Sequence, residues 1–146
     1  MTSMPGIVDY SLAKRALVSR FRRGELLRND LCDAHPELLR AARHIGHAVD
    51  EPCPVCEGAN LREIRYVFGD DLRHLSGRVV YPDDWIDELV RDFDEFRCYT
   101  IEVCTDCSWN HLVTCTVLGR TVAGRHGAPS PGARRSASRP AVRRGL

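Results

Sequence analysis

The 146-residue chain has a single lysine, Lys14, among 21 basic residues, and only 7% of its residues are aromatic. No stretch approaches the roughly 18 consecutive apolar residues of a membrane span. Met1–Pro5 lacks the basic start and apolar run of a secretory signal, so the expected location is the cytoplasm. The nucleotide, zinc-protease, hydrolase and deaminase signatures are all missing: there is no Gly-rich phosphate loop, HExxH, GxSxG or HxE with PCxxC. Acidic residues stop at Asp106. The near-absence of lysine reflects a GC-rich genome more than a function.

Charge is segregated. Before residue 119 there are 14 basic and 20 acidic residues; after it come seven arginines and no acid. A basic tail of this kind seeks polyanions or folds back on an acidic body.

Apolar spacing predicts a helix over 7–23 (Tyr10, Ala13, Leu17, Phe21) that stops at Gly24. A second helix is expected at 36–45, with Pro36 in its first turn and Gly46 at its end, and a short helical turn between them at Leu26–Cys32. Alternation over Leu61–Phe68 reads as a strand with Ile64, Tyr66 and Phe68 on one face and Glu63 and Arg65 on the other. Residues 69–82 read as loop with Val79–Val80 as a short strand. A third helix is expected over about 83–97, carrying Trp85, Leu89, Phe93 and Phe96. Two β-rich runs flank Cys104–Cys107 as a hairpin. Beyond Gly119 the composition of Gly, Pro, Ser, Ala and Arg cannot offset its ordering entropy. The expected organisation is an N-terminal helical region (1–50), a zinc-ribbon domain with an inserted helix (51–118) and a disordered tail (119–146). The fold class is α+β with a small antiparallel sheet.

The seven cysteines carry the chemistry. Cys53-x-x-Cys56 and Cys104-x-x-Cys107 each let two thiolates reach one ion from a tight turn, and together they complete a tetrahedral Cys₄ site of the structural kind. Gly58 supplies a permissive backbone after the first pair. A redox pair needs a helix directly after the first cysteine, whereas here a strand follows. Zn²⁺ is the expected cofactor; four thiolates also suit a mononuclear iron centre. Cys98 and Cys115 flank the second turn almost symmetrically and are expected either as small buried side chains or as a cross-linking thiol sensor facing across the hairpin. Cys32, near His35, is expected in the core; if the protein were an enzyme, this would be its nucleophile pair. His111 is a candidate hydrogen-bond donor behind the site, and His44 and His47 are expected at the surface.

Two charged features suggest partners. Lys14, Arg15, Arg20, Arg22 and Arg23 on the first helix, with Arg134 and Arg135 in the tail, offer phosphate contacts for a nucleic acid. Asp84, Asp87, Glu88, Asp92 and Glu95 make an acidic helix face, either simply solvated or a docking surface for a basic protein. No small-molecule substrate is indicated.

The chain resembles a family of small actinobacterial proteins of unknown function. The resemblance rests on Val8-Asp9-Tyr10, Cys32–Pro36 leading into Leu38–Ala42, the Cys53–Cys56 turn, Val67–Asp70, and above all Glu102-Val-Cys-x-x-Cys-Ser-Trp-Asn-His-Leu112. It implies a metal site and a bacterial origin and brings no activity with it. The expectation is a non-enzymatic zinc-binding protein, a regulatory adaptor of transcription or translation machinery. The alternatives are a nucleic-acid binder, a thiol redox sensor and a mononuclear-iron protein.

Overall fold

Two long strands form the centre of the computed structural model, which describes residues 6–125. β4 (Phe96–Cys104) and β5 (Asn110–Leu118) make the expected hairpin, and β3 (Leu61–Phe68) pairs with β4 along its full length. The sheet is extended by β1 (Ile7–Asp9) against β5 and by β2 (His47–Ala48) against β3. All pairings are antiparallel, in the order β1-β5-β4-β3-β2. The two edge strands of the sheet, β1 and β2, thus both come from the N-terminal region.

Helix α1 (Ser11–Arg22) starts four residues later than periodicity suggested, because Ile7–Asp9 is drawn into the sheet edge. The Asp9 carboxylate accepts from the N–H of Ser11, the first residue of the helix, at 2.7 Å. Gly24 adopts φ +81° just past its end. α2 (Arg28–Leu31) is a single turn, and α3 (Pro36–Ile45) has the expected bounds. At the start of α3, His35 Nδ1 accepts from Glu37 N–H at 3.1 Å. At its end, a Cβ on Gly46 would lie 2.5 Å from Ala42 O.

The loop after β3 contains a 3₁₀ segment, Asp70–Leu75, and a bridge from Val79 to Tyr66. The expected third helix is shorter: α4 spans Trp85–Asp92, Phe93 is already extended, and Phe96 opens β4. Its helical spacing masked a strand start. α5 (Arg120–Arg125) lies in what reads as tail, docked by Thr121 N–H to Asp94 O at 3.1 Å and by an Arg120–Asp94 ion pair at 2.7 Å. Arg134 and Arg135 lie outside the described residues. No helix among the described residues is long and apolar enough to cross a membrane.

Both sheet faces are covered. Ala42, Leu38 and Leu39 of α3 pack on Ile64, Tyr66, Ile101 and Val103. On the opposite face Val18, Leu17 and Phe21 of α1 meet Leu61, Trp109 and the cysteine turns, while Leu89 and Ile86 of α4 meet Val67, Phe96 and Cys98. The β3 face bearing Glu63 and Arg65 is thus no solvent face, and Leu61 and Val67 on it are buried. Phe68, on the same strand face as Ile64 and Tyr66, is 43% exposed and meets Tyr99 edge-on.

Cys98 and Cys115 do not face each other. From the hairpin tip to Ile101 the register points toward a Cys98–Cys115 pair, but Val113 is an extra residue between Leu112 and Thr114. This β-bulge shifts the pairing by one, setting Cys98 opposite Thr116 and Cys115 opposite Tyr99. A one-residue shift reverses the face. Cys98 enters the core beside Val67 and Phe96, where burial pushes its thiol up to about 11.

Candidate metal centre

The two cysteine turns are built alike. In the first, Cys53 N–H donates to Gly58 O (3.0 Å) and Glu57 N–H to Cys53 O (2.9 Å); in the second, Cys104 N–H donates to Trp109 O (2.8 Å) and Ser108 N–H to Cys104 O (3.0 Å). The fourth residue after each first cysteine takes positive φ, 64° at Glu57 and 75° at Ser108. The left-handed position is therefore Glu57 and not Gly58. Gly58 fits a tight spot: a Cβ there would lie 3.1 Å from Asp106 Oδ2 and 3.4 Å from Cys56 Sγ.

Backbone N–H groups converge on the sulfurs in the same pattern. Cys53 Sγ accepts from Val55 at 3.4 Å and from Cys56, and Cys56 Sγ accepts from Gly58 at 3.4 Å. Cys104 accepts from Asp106 and Cys107, and Cys107 from Trp109. The turns are joined by Thr105 N–H to Asn60 O (3.2 Å) and Asn60 Nδ2 to Asp106 Oδ2 (3.0 Å). Leu61 pairs with Cys104, so the strand after one turn starts beside the other.

This construction brings all four sulfurs within 4.8 Å of one another, with Cys53–Cys107 at 3.7 Å and Cys56–Cys104 at 3.6 Å. A tetrahedral ion with sulfurs at about 2.3 Å requires sulfur–sulfur edges of about 3.8 Å. The four cysteines fit one ion. Burial pushes the Cys53 and Cys104 thiols up to about 11 and Cys107 up to about 12. Burial also acts upward on Cys56, but the Gly58 N–H and the neighbouring thiols outweigh it and bring that group below its ordinary value. Thiolates crowded in this way need a cation among them. Cys53, Cys56, Cys104 and Cys107 would hold it, and it would supply cross-linking of the two turns. Cys53 and Cys104 are essentially inaccessible, and Cys56 and Cys107 are half-buried.

Cys32, expected in the core, packs half-buried against the core cluster that holds the cysteine turns, and its closeness to Cys107 is what the sequence did not show. The residue lies at the edge of this site, with its Sγ donating to Cys107 Sγ at 3.6 Å. A backbone bridge to Trp109, Ala34 N–H to Ser108 O (3.0 Å) and Asn110 Nδ2 to Asp33 Oδ1 (2.9 Å) hold the segment on the second turn. No local spacing could reveal it, since the two cysteines are 75 residues apart. His35 serves as the α3 cap instead.

His111 does not reach a sulfur through any hydrogen bond described. Its Nδ1 donates to Leu112 O at 2.7 Å and its ring stacks on Trp109, 5.6 Å between centroids. His47, expected at the surface, is 7% exposed, with Nε2 2.8 Å from Asp83 Oδ1. Burial follows from its place in β2, where pairing with Glu63 turns it onto the covered face.

The basic residues of α1 are largely engaged. Lys14 pairs with the buried Glu102 at 2.9 Å, and Arg20 and Arg23 pair with Glu25 at 3.4 and 2.9 Å. Arg15 and Arg22 are exposed. Asp84, Asp87, Glu88, Asp92 and Glu95 are all exposed.

Comparison with known proteins gives a family and several relatives. A family model described as "Family of unknown function (DUF5318)" matches residues 1–131. The chain is 38% identical over 127 residues to "Uncharacterized protein Mb0050" of Mycobacterium bovis and to "Uncharacterized protein Rv0049" of Mycobacterium tuberculosis, covering 87% of this chain and 92% of each relative. No solved structure matches the chain. With its zinc-ribbon-like four-cysteine cluster set in an α+β fold, the chain belongs to the DUF5318 family.

Proposed function

We propose that the protein is a zinc-dependent binding module without catalytic activity, a cytoplasmic adaptor that docks a basic protein partner of the transcription or translation machinery. The observation that carries this reading is the closed four-cysteine cluster. Four thiolates fill a tetrahedron and leave no position for an activated water, so the ion is a structural cross-link. Zinc is favoured over iron because the turns sit in a broad sheet with helices on both faces, a scaffold for a surface more than for an exposed electron carrier. The assignment to transcription or translation rests on analogy with other zinc ribbons.

The charge arrangement supports a protein partner over a nucleic acid. Lys14, Arg20 and Arg23 already have carboxylate partners. Asp84 at the start of α4 and Asp87, Glu88 and Asp92 on it stand exposed, and no ion pair to them is found among the described residues. The test has two arms. Full-length protein is titrated with duplex DNA and RNA across a salt series, and it is used as bait beside a variant carrying Asp84→Asn, Asp87→Asn, Glu88→Gln and Asp92→Asn. Capture of a defined basic partner by the parent and its loss in the variant support the reading. Tight nucleic-acid binding that falls steeply with salt overturns it.

A further inference from the structure

The fifth cysteine at the site has no place in a closed Cys₄ centre, and its geometry calls for an account. Cys32 is outside the set whose sulfurs all lie within 4.8 Å of each other, yet its sulfur is 3.6 Å from that of Cys107. This is as close as the ligand sulfurs are to one another. A disulfide has a sulfur–sulfur distance of about 2.05 Å, so closure needs an approach of about 1.5 Å. The backbone favours that approach. Cys32 is bridged to Trp109, two residues past Cys107, and Ala34 N–H is bonded to Ser108 O.

Accessibility singles out the same pair. Cys53 and Cys104 are 1% and 0% exposed, and the remaining cysteines Cys98 and Cys115 are buried in the sheet. Cys32 and Cys107 are half-buried. Of these two, Cys32 lies outside the four-sulfur set, so no ion holds its sulfur when Cys107 is coordinated. Cys56 is also half-buried, but its close sulfur neighbour is the buried ligand Cys104 at 3.6 Å.

We propose that Cys32 is a peroxide-reactive modification site whose product is a Cys32–Cys107 disulfide that removes Cys107 from the metal centre. The inference rests on the metal reading given under Proposed function and extends it to regulation of the same site. In the first step the Cys32 thiolate attacks one oxygen of hydrogen peroxide. A sulfur–oxygen bond forms, the oxygen–oxygen bond breaks, and the departing hydroxide takes up the proton that Cys32 lost. In the second step the Cys107 sulfur attacks the Cys32 sulfur. The disulfide forms, the sulfur–oxygen bond breaks, and hydroxide leaves to be protonated. The Cys32 thiol and the metal-bound Cys107 thiolate together lose two electrons and the one proton of Cys32, a second proton comes from solvent, and hydrogen peroxide is reduced to two waters. The ion is left with three thiolates, and the link between the two turns is weakened. A thiol reductant reverses the change.

The experiment uses the full chain loaded with zinc(II) and treated with near-stoichiometric hydrogen peroxide. Zinc release is followed with a chromogenic chelator, and the cross-link is located by differential alkylation and peptide mass mapping. The expected result is a single Cys32–Cys107 disulfide that appears together with released zinc, both undone by dithiothreitol and added zinc. Cys32→Ser and Cys32→Ala should bind zinc as the parent does and release it several-fold more slowly under peroxide. A disulfide mapped to another pair overturns the inference, as do Cys32 variants that lose zinc as fast as the parent. If neither variant folds, the disulfide map of the unsubstituted chain decides alone. A chain that holds no metal before oxidation overturns the metal reading instead, and the map of the metal-free chain still decides whether Cys32 and Cys107 join.

Discussion

Trp109 Nε1 donates to Glu102 Oε2 at 2.7 Å, with the Trp109 side chain wholly buried and Glu102 only 4% exposed. Lys14 Nζ, 2.9 Å from the same carboxylate, ties α1 to the hairpin that carries the second cysteine turn. A carboxylate so enclosed depends on both donors. Trp109 also gives its backbone N–H to Cys107 and stacks on His111, so one residue braces the metal turn and the polar contact behind it. Trp109→Phe removes the donor and also shrinks the buried side chain, so the lost hydrogen bond, about 1–3 kcal/mol, comes on top of a cavity cost. Lys14→Met should cost about 1–3 kcal/mol as well. Urea unfolding of zinc-loaded protein measures both, and variants as stable as the parent would refute the dependence.

The metal should account for much of the stability. Structural zinc supplies on the order of 10 kcal/mol, comparable to the whole stability of a small domain. Purified protein is expected to hold one equivalent of zinc, and a strong chelator should unfold the cysteine turns and the adjoining ends of β3, β4 and β5. Cys104→Ser is the discriminating ligand substitution, because Cys32 lies close enough to Cys107 to stand in for it. Full metal content in Cys104→Ser, measured by atomic emission, would exclude the four-cysteine centre.

What was legible in the sequence was local. Pro36 and Gly46 bracket α3 at its observed bounds, and alternation over Leu61–Phe68 matches β3. The cysteine pairs were read because a two-residue spacing is itself the geometry of a metal turn. The failures were contacts made at a distance. Val113 as a single bulged residue separates Cys98 from Cys115, and no propensity marks it. Its carbonyl accepts from Tyr10 N–H at 3.0 Å, a bond that exists only once β1 has paired with β5. Cys32 meets Cys107 and His47 meets Asp83 by the same kind of long-range docking. Phe93 and Phe96 fitted a helical stripe, but the strand pairing of Phe96 with Leu118 prevailed.

Among the described glycines, Gly119 should be the least replaceable. It sits at φ +130°, and an added Cβ would run into the Asp94 carbonyl oxygen, the group that accepts from Thr121. Gly119→Ala therefore imposes backbone strain of about 1–3 kcal/mol and also displaces α5 from the end of α4. Gly24 is the control. It too has positive φ, at +81°, but nothing lies within 4 Å of its added Cβ. The midpoint of denaturant unfolding should fall clearly further for Gly119→Ala than for Gly24→Ala. Equal losses would show that strain alone, without the clash at Asp94, sets the cost.

Glu63 gives a pH signature. It lies opposite Glu102 on β4 and His47 on β2. Burial raises its pKa first, and the Glu102 charge adds to that with a smaller push from Glu51, while His47 and Lys14 pull it down. A carboxyl whose folded value is raised holds its proton more tightly when folded. Its ionisation then disfavours the fold above the raised value, and the penalty disappears as pH falls to the ordinary value of about 4.3. Glu63→Gln removes the ionisation, so it should be more stable than the parent at neutral pH, with the gap closing toward pH 4. Because acid also releases the metal, the quantity to measure is the difference between variant and parent at each pH, with both in the same excess of zinc. A Gln variant that is less stable than the parent at pH 7, or a gap that stays constant down to pH 4, would show that the Glu63 carboxylate is favourably held in its charged form.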